Sequence, residues 1–441
     1  MREILTGWEM HPTTWVYLSS LIIITVYFKF GRFWSVRNLD LVGLISFGPG
    51  LLLAQSSDPA QSRLGFLMLF VTGGFFLVRL LLDPQMVRRP LLEPNLSTGG
   101  LTFMGVSLLV FLMTNVVTEK LTINDLDGPQ RLQKMLAREA ADAKDPQLAS
   151  HGPGYPLLHL LPSMPSRAII EPLDVPETQK LDMLSIATAR TMAILAHLAV
   201  VIGMVLVGHR HFDNIRTGVA AATLYLVAPY TAQMTGRVDH VLPAALMVWA
   251  LLCYRRPAIA GMLMGLATGA IYYPLFLLPL WLGFYWQRGF WRFGAGALAM
   301  IAMLVASLAW TSSDLASFTA QLRTMFGWTD FQTQDVGGFW DAEWSAFRLT
   351  VMTIFAVLAL SLALWPQPKN LGTLMSCSAA LMLGTQFWVA KDGGLFMAWY
   401  LPLLVLTVFR PNLEDRIALT TLGDGWLLKF KNYRRPMNQA A

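Results

Sequence analysis

Long apolar runs recur along the whole chain, and they constrain its fold more than any other feature. Thr14–Phe28 and Leu101–Val117 are two examples, apolar on every side rather than at helical spacing. Only 14% of the residues are charged, whereas soluble domains have about 25%. Because lipid offers the backbone no hydrogen-bond partner, runs of this kind are typical of membrane-spanning helices. The sequence therefore predicts an all-α, polytopic transmembrane helical bundle.

We expect about thirteen spans, because each run approaches the ~20 residues that cross a bilayer. The predicted spans are 13–30, 40–55, 64–82, 100–117, 185–207, 215–232, 240–254, 257–271, 273–287, 292–310, 349–365, 371–389 and 395–410. The pair at 257–287 is short for two crossings. Tyr272-Tyr273-Pro274 marks a reversal there, since the residue before a proline avoids helix. This segment is either two crossings or a shallow re-entrant hairpin.

The basic residues at the span ends predict the orientation. One set of alternate short segments carries Lys29, Arg32, Arg37, Arg79, Arg88, Arg89, Arg210, Arg216, Arg255, Arg256, Arg288, Arg292, Lys369, Arg410, Arg416, Lys429, Lys431, Arg434 and Arg435. The opposite short segments carry only Arg2, Arg63, Arg237 and Lys391. The positive-inside rule places the first set in the cytoplasm. We therefore expect the N-terminus outside and the C-terminus inside, in a bacterial-type inner (plasma) membrane.

A polar segment over 118–185 is the longest loop and lies on the predicted outer side, as does a second loop over 311–348. Asp127-Gly128-Pro129 favours a helix start, with the acid as N-cap and the proline in the first turn. Apolar residues at helical spacing over Gln130–Asp142 then indicate an amphipathic helix on the membrane surface. Prolines predict irregular structure for the rest of the loop, at Pro162, Pro165, Pro172 and Pro176.

The order of these features resembles that of the GT-C superfamily of integral-membrane glycosyltransferases. An apolar span leads to an outer loop with Asp125 and Asp127, and a Tyr-Pro-Leu-Leu-His-Leu-Leu segment follows from Tyr155. Further on, Arg237-Val-Asp239-His240 opens a span, and a glycine-rich span over 261–269 precedes Tyr273-Pro274. The similarity covers about residues 100–310, and the first three spans lie outside it.

The resemblance implies that a sugar passes from a polyprenyl-phosphate carrier to an acceptor, with inversion at the anomeric centre. An aspartate of the first outer loop would be the general base, because the attacking hydroxyl loses a proton. Asp125 or Asp127 would have this role, and Asp125 is preferred because Asp127 has a capping role. Candidates to bind the phosphate, which needs cations or donors, or the acceptor are Lys120, His151, Tyr155, Arg237, Asp239, His240 and Lys391.

The cofactor stays open: Asp125 and Asp127 could hold a divalent cation, yet many members of the superfamily work without one. The absence of a nucleotide-binding glycine-rich loop in the sequence fits a lipid-phosphate donor. The expected partners are thus membrane lipid and a polyprenyl-phosphate-linked sugar. The net charge of +6 comes from residues at span ends and predicts no nucleic-acid partner.

Four regions follow from these features. They are a three-span extension (1–99), a GT-C-like core with the outer loop (100–310), the second outer loop with the last spans (311–410), and a cytoplasmic tail (411–441). Two other functions remain open. The loop acids could simply face solvent in a non-catalytic scaffold or assembly protein. A lipid or solute transporter would instead show broken helices at matching places in two halves.

Overall fold

The computed structural model describes residues 11–86, 92–137, 152–327, 338–340, 344–390 and 392–420. In these ranges the chain forms helices and no β-strand, apart from one isolated antiparallel bridge between Asn370 and Ile417. The predicted all-α fold is confirmed for this part of the chain. The helices follow the apolar runs closely, because a run that is apolar on every side has no polar face to place in water.

The helices are numbered in chain order. The first seven are α1 (Pro12–Tyr27), α2 (Val36–Ala54), α3 (Pro59–Leu82), α4 (Thr98–Thr118), α5 (Ile123–Leu136), α6 (Gly154–Leu158) and α7 (Leu160–Ile170). The next six are α8 (Glu177–His211), α9 (Ile215–Val227), α10 (Pro229–Gln233), α11 (Val238–Leu252), α12 (Pro257–Ala270) and α13 (Leu278–Phe284). The last five are α14 (Phe290–Thr311), α15 (Leu315–Met325), α16 (Ser345–Leu364), α17 (Leu371–Thr385) and α18 (Leu401–Phe409).

Six helices among the described residues are long and apolar enough to cross a bilayer. They are α2, α3 with its 3₁₀ extension to Gln85, α4, α8, α14 and α16. Shorter apolar helices accompany them: α1 precedes all six, α9, α11 and α12 lie between them in the chain, and α17 follows them. The protein is therefore a multi-pass integral membrane protein, while the number of thirteen spans stays a prediction. Residues 257–287 remain either two crossings or a shallow re-entrant hairpin, since α12 has 14 residues and a crossing needs about 20.

A very close approach of two helix backbones joins α12 to α14. A Cβ on Gly261 would collide with the carbonyl oxygen of Phe293, and one on Gly265 would lie 2.7 Å from the carbonyl oxygen of Ala297. Glycines four residues apart allow such contact because they lie on one face and carry no side chain. The glycine-rich span is thus a packing surface for α14.

Helix α1 packs on the rest of the bundle through side-chain hydrogen bonds to α9. The Ser19 hydroxyl donates to the carbonyl of Val227 at 2.5 Å. The Tyr27 hydroxyl donates to the carbonyl of Ala220 at 3.0 Å. A carbonyl oxygen has two lone pairs, so these bonds join the two helices without breaking either one.

Two predictions for the outer loop are wrong. Helix α5 begins at Ile123 with Thr122 as its N-cap, so Asp127 lies inside the helix and does not cap it. Pro129 lies inside this helix, although a proline there removes the hydrogen bond to the carbonyl four residues earlier and crowds that carbonyl. The segment predicted to be irregular contains α7, with Pro162 in its first turn, where a backbone N–H has no helical partner in any case. Residues 138–151, including the end of the predicted surface helix, lie outside the described residues.

Candidate active site

Asp125 is fixed by the start of α5. The backbone N–H of Thr122 donates to Asp125 Oδ2 at 2.8 Å, and the Thr122 hydroxyl donates to the same oxygen at 2.7 Å. The side chain is only 7% exposed. The second oxygen, Oδ1, is buried and has no hydrogen-bond partner among the described residues. One oxygen therefore orients the carboxylate, and the other is available to accept a proton or a hydrogen bond.

Asp127 has a different environment. Its Oδ1 lies 3.1 Å from Nε of Arg131, one helical turn later, and the side chain is 3% exposed. Neither loop acid faces bulk water, in contrast to the solvent-facing alternative. The ion pair with Arg131 therefore orients the Asp127 carboxylate along α5.

The short helix α6 is placed by contacts that need glycine. The Gly152 N–H donates to the carbonyl of Ala270 at the end of α12, at 3.0 Å. A Cβ on Gly154 would lie 2.8 Å from the carbonyl carbon of Gly269. On its other side, the His159 ring lies directly on Gly128 of α5. Glycine contacts on both sides therefore hold the Tyr155 segment between α5 and α12.

Arg237 and Asp239 form a bidentate pair at the start of α11. Arg237 Nε donates to Asp239 Oδ1 at 3.0 Å, and Nη2 donates to Oδ2 at 2.6 Å. Burial is the largest single influence and lowers the pKa of Arg237, but Asp239, Tyr230 and Asp125 together raise it by more, so the pKa lies above its ordinary value. Arg237 is therefore charged at every physiological pH, and Nη1 is not used in the pair.

Tyr155 brings the two acids of α5 together with the Arg237–Asp239 pair. It is fully buried and interacts electrostatically with Asp239, Asp127, Arg237 and Asp125. Burial, assisted by the Asp239 and Asp127 carboxylates, raises the pKa of Tyr155 well above its ordinary value. The hydroxyl thus stays protonated and is able to donate a hydrogen bond. We name these five residues, Asp125, Asp127, Tyr155, Arg237 and Asp239, the outer cluster.

The remaining predicted site residues differ in position. His240 lies behind the outer cluster, where Nε2 is 3.6 Å from Asp239 Oδ2 and Nδ1 is hydrogen-bonded to the Tyr230 hydroxyl. The exposed side chain of Lys120 precedes the cap of α5. His151 and Lys391 lie outside the described residues, so their roles stay predictions.

The donor set of the outer cluster does not fit a resident metal ion. In the part of the chain that the structure describes, no group of three His, Cys, Asp or Glu side chains could hold one. Asp125 Oδ2 already accepts two hydrogen bonds, and Asp127 is paired with Arg131. These two carboxylates are therefore engaged by protein groups rather than arranged as metal ligands.

Two features of the site are not predicted from the sequence: the ion pair of Arg131 with Asp127 and the buried hydroxyl of Thr188. The sequence places Arg131 on the polar face of the surface helix, although its position four residues after Asp127 is the spacing of a helical ion pair. The hydroxyl of Thr188 in α8 is buried without a partner among the described residues. No sequence pattern marks such a residue, because a threonine inside an apolar helix usually bonds to its own backbone.

Comparison with known proteins agrees with the resemblance drawn from the sequence. Residues 178–390 match glycosyltransferase family 87. No curated protein and no solved structure gives a significant match. The matched region covers just under half of the chain, and it begins in the first turn of α8. It contains Arg237 and Asp239, whereas Asp125, Asp127 and Tyr155 precede it. Residues 178–390, the family 87 region, are therefore similar to glycosyltransferase family 87, in agreement with the resemblance to GT-C-type membrane glycosyltransferases.

Proposed function

We propose that the protein is an inverting glycosyltransferase of a bacterial-type inner membrane, with its active site on the outer face. The donor is a polyprenyl-phosphate-linked sugar, and the acceptor presents a hydroxyl group. One observation carries this proposal. The buried carboxylate of Asp125, from the loop that precedes the family 87 region, meets Arg237 and Asp239 of that region around Tyr155.

Asp125 is the general base of this proposal. Its Oδ1 takes the proton of the acceptor hydroxyl while the acceptor oxygen bonds to the anomeric carbon. The bond between that carbon and the phosphate oxygen breaks, and the electron pair leaves with the polyprenyl phosphate. Asp127 is the weaker candidate because Arg131 already holds its carboxylate. The preference for Asp125 thus rests on this ion pair, since Asp127 has no capping role.

Arg237 is the residue best suited to bind the leaving phosphate. Asp239 holds Nε and Nη2, which fixes the plane of the guanidinium, and Nη1 remains for a phosphate oxygen. A charge-assisted hydrogen bond of this kind is about twice as strong as a neutral one. Tyr155 supports the same charge as a protonated donor, since its raised pKa keeps the hydroxyl neutral.

The test replaces Asp125 by asparagine, which keeps an oxygen for the cap at Thr122 but accepts no proton. Membranes with wild-type or variant protein are incubated with a panel of radiolabelled polyprenyl-phosphate sugars, and labelled product is counted. We expect Asp125→Asn to lower transfer by about 10²–10⁴-fold, the usual contribution of a positioned base.

The matched control is Asp58→Asn. Asp58 likewise takes part in a helix cap, as the N-cap of α3, where it accepts from the Ala60 N–H at 3.0 Å, but it lies in an exposed turn. This variant should transfer sugar at the wild-type rate. Asp127→Asn, assayed together with Asp125→Asn, shows which of the two acids is the base. Full activity in both Asp125→Asn and Asp127→Asn would exclude the outer cluster as the site of the reaction.

A further inference from the structure

A surface pocket lies where the chain passes from α13 to α14, far along the chain from the outer cluster. It has a volume of about 530 Å³ and is lined by residues 286–292. Two tryptophans of this segment have exposed rings, Trp286 at 71% and Trp291 at 83%. Arg292 is exposed as well, and Arg288 is partly exposed. We name this feature the arginine pocket. It combines cations with aromatic surface that the described fold leaves uncovered.

The arginine pocket lies at the level of the lipid headgroups. Helix α14 begins in the pocket and is long and apolar enough to cross a bilayer. Its opposite end also carries an exposed tryptophan, Trp310 at 74%. Tryptophans at both ends of a spanning helix are typical of the two membrane interfaces. The pocket, which immediately precedes this span, therefore meets lipid headgroups rather than the acyl chains.

The turn before α12 packs on the same segment. The Tyr285 hydroxyl donates to the carbonyl of Tyr254 at 2.5 Å. Gly289, at a φ of 98°, lies against Pro257, and a Cβ on this glycine would be 2.7 Å from the proline ring. The two residues between Tyr254 and Pro257 are both arginines. These contacts therefore bring a second pair of cations to the side of the bundle that carries the arginine pocket.

The positive charge on this side is not balanced by the helices that carry it. Residues 240–313, which include α12, α13 and α14, contain no Asp or Glu. They contain four arginines, Arg255, Arg256, Arg288 and Arg292. Each of the four is exposed or partly exposed. A cluster of arginines beside a spanning helix attracts anionic lipid, because the surface of an anionic leaflet has a negative potential.

The C-terminal part of the chain does not supply the missing negative charge. Arg288 Nη1 donates to the carbonyl of Leu419 at 2.9 Å, so this segment reaches the arginine pocket. Residues 410–420 carry two arginines and two acids, and residues 421–441 carry four Lys or Arg and one Asp. The first stretch is neutral and the second is basic. By charge, the tail is thus a poor occupant for the pocket, and an anion from outside the chain is favoured.

We propose that the arginine pocket binds the headgroup of an anionic phospholipid. The guanidinium groups of Arg288 and Arg292 donate to the phosphate, since their planar fork matches phosphate oxygens. The rings of Trp286 and Trp291 lie against the glycerol and the first part of the acyl chains, where one side is apolar and the other wet. A soluble anion would match the arginines but leave both rings uncovered. This inference is independent of the proposed function.

The test measures the affinity of the first bound lipid by native mass spectrometry of the full-length protein in a neutral detergent. Phosphatidylglycerol and phosphatidylcholine with the same acyl chains are the two probes, because they differ in net charge. We expect wild type to bind phosphatidylglycerol about tenfold more tightly. Arg292→Gln should weaken that binding about fivefold, and Arg288→Gln with Arg292→Gln about 25-fold, the usual effect of one and two basic residues at an anionic surface. Neither variant should change the binding of phosphatidylcholine.

Two further variants show where the lipid lies. Arg63→Gln is the matched control, because Arg63 is also exposed beside a spanning helix but lies in the first turn of α3, on the side predicted to be outside. It should bind both lipids like wild type. Trp291→Ala should weaken both lipids by similar factors, because the ring contacts a part that the two lipids share.

The proposal has clear failures. Equal affinity of wild type for the two lipids, or wild-type binding of phosphatidylglycerol by Arg292→Gln, would overturn it, and Arg292 is exposed, so this single variant should fold normally. Unchanged binding of both lipids by Trp291→Ala would place the lipid elsewhere on the protein. Displacement of phosphatidylglycerol by millimolar inorganic phosphate would make the pocket a site for a soluble anion instead.

Discussion

Two acids of the same motif differ in environment because they lie on a helix. Asp125 and Asp127 are two residues apart, which turns their side chains about 200° away from each other at 3.6 residues per turn. Asp125 bends back to the Thr122 cap, and Asp127 reaches forward to Arg131. In an extended loop the two carboxylates could form a pair, but in α5 they cannot face one another. This geometry explains why one acid is a candidate base and the other a partner in an ion pair.

The raised pKa of Tyr155 makes a prediction about pH. Burial and the carboxylates of Asp239 and Asp127 favour the neutral hydroxyl, so Tyr155 does not ionise below its ordinary pKa of about 10. Tyr155→Phe removes a donor and should lower the rate of transfer about tenfold. The ratio of variant to wild-type rate should stay constant from about pH 6 to 9, because no proton leaves Tyr155 in that range.

The measurement is the rate of sugar transfer across this pH range for both proteins. Tyr17→Phe serves as the control, because Tyr17 is exposed on α1, and its rate should equal that of wild type. A ratio that changes with pH would contradict the assignment of Tyr155 as a permanently protonated donor, and would make it an acid or base of the reaction.

At the scale of the element, the contact between α12 and α14 depends on the absence of side chains. A Cβ on Gly261 would meet a backbone oxygen of Phe293, which cannot rotate away as a side chain would. Gly261→Ala should therefore force the helices apart and lower the free energy of unfolding by about 1–3 kcal/mol. Gly74→Ala in α3 is the control, since a Cβ on Gly74 would have no neighbour within 4 Å among the described residues. Alanine there should be neutral or stabilising by about 0.5–1 kcal/mol.

Unfolding in mixed detergent micelles, followed by tryptophan fluorescence, measures both glycine variants. Because α12 also carries the Gly269–Ala270 end on which the Tyr155 segment rests, Gly261→Ala should lose transfer activity as well. Equal stability of Gly261→Ala and Gly74→Ala would mean that the two helices are not in close contact in the membrane.

The helices could be predicted from the sequence, but the boundaries in the outer loop could not. In lipid, an apolar run such as Leu101–Val117 satisfies its backbone hydrogen bonds by forming a helix, and α4 covers this run. Two N-cap patterns compete at the start of α5. In the first, Thr122 caps the helix and Asp125 completes the capping box. In the second, Asp127 caps a helix that has Pro129 in its first turn. Both patterns are sound locally, so sequence alone does not decide between them.

The sequence identifies the residues of the outer cluster, but it does not show how they come together in the fold. All five of its residues are candidates from the sequence, because the resemblance to GT-C transferases rests on the acids of the first outer loop, the segment from Tyr155 and the Arg237-Val-Asp239 motif. Their convergence depends on distant contacts, above all those of Gly128 with His159 and of Gly154 with Gly269. No pattern within the loop reveals these contacts, since each joins separate helices.

At the scale of the whole molecule, a buried ion network joins α2 and α3 to the end of α18. Arg79 of α3 contacts Asp40 of α2 at 3.0 Å and Asp83 at 2.8 Å. Asp83 also contacts Arg410, which follows α18, at 2.6 Å. Because lipid does not solvate charges, each of these groups depends on its partners. Helices α2 and α3 are thus joined to the end of α18, which lies beyond the family 87 region.

Breaking this network at Arg410 should destabilise the whole bundle. Arg410→Met keeps the length of the side chain but removes a cation from Asp83, and loss of one partner from a buried pair costs about 3–5 kcal/mol. Arg167→Met is the matched control, because Arg167 and Glu171 form a surface pair, 67% and 70% exposed, at 3.9 Å. That change should cost at most about 0.5 kcal/mol. Both variants are unfolded with denaturant in the same micelles. If Arg410→Met is as stable as Arg167→Met, apolar packing alone holds α2 and α3 against the end of α18, and the ion network does not contribute to the assembly of the bundle.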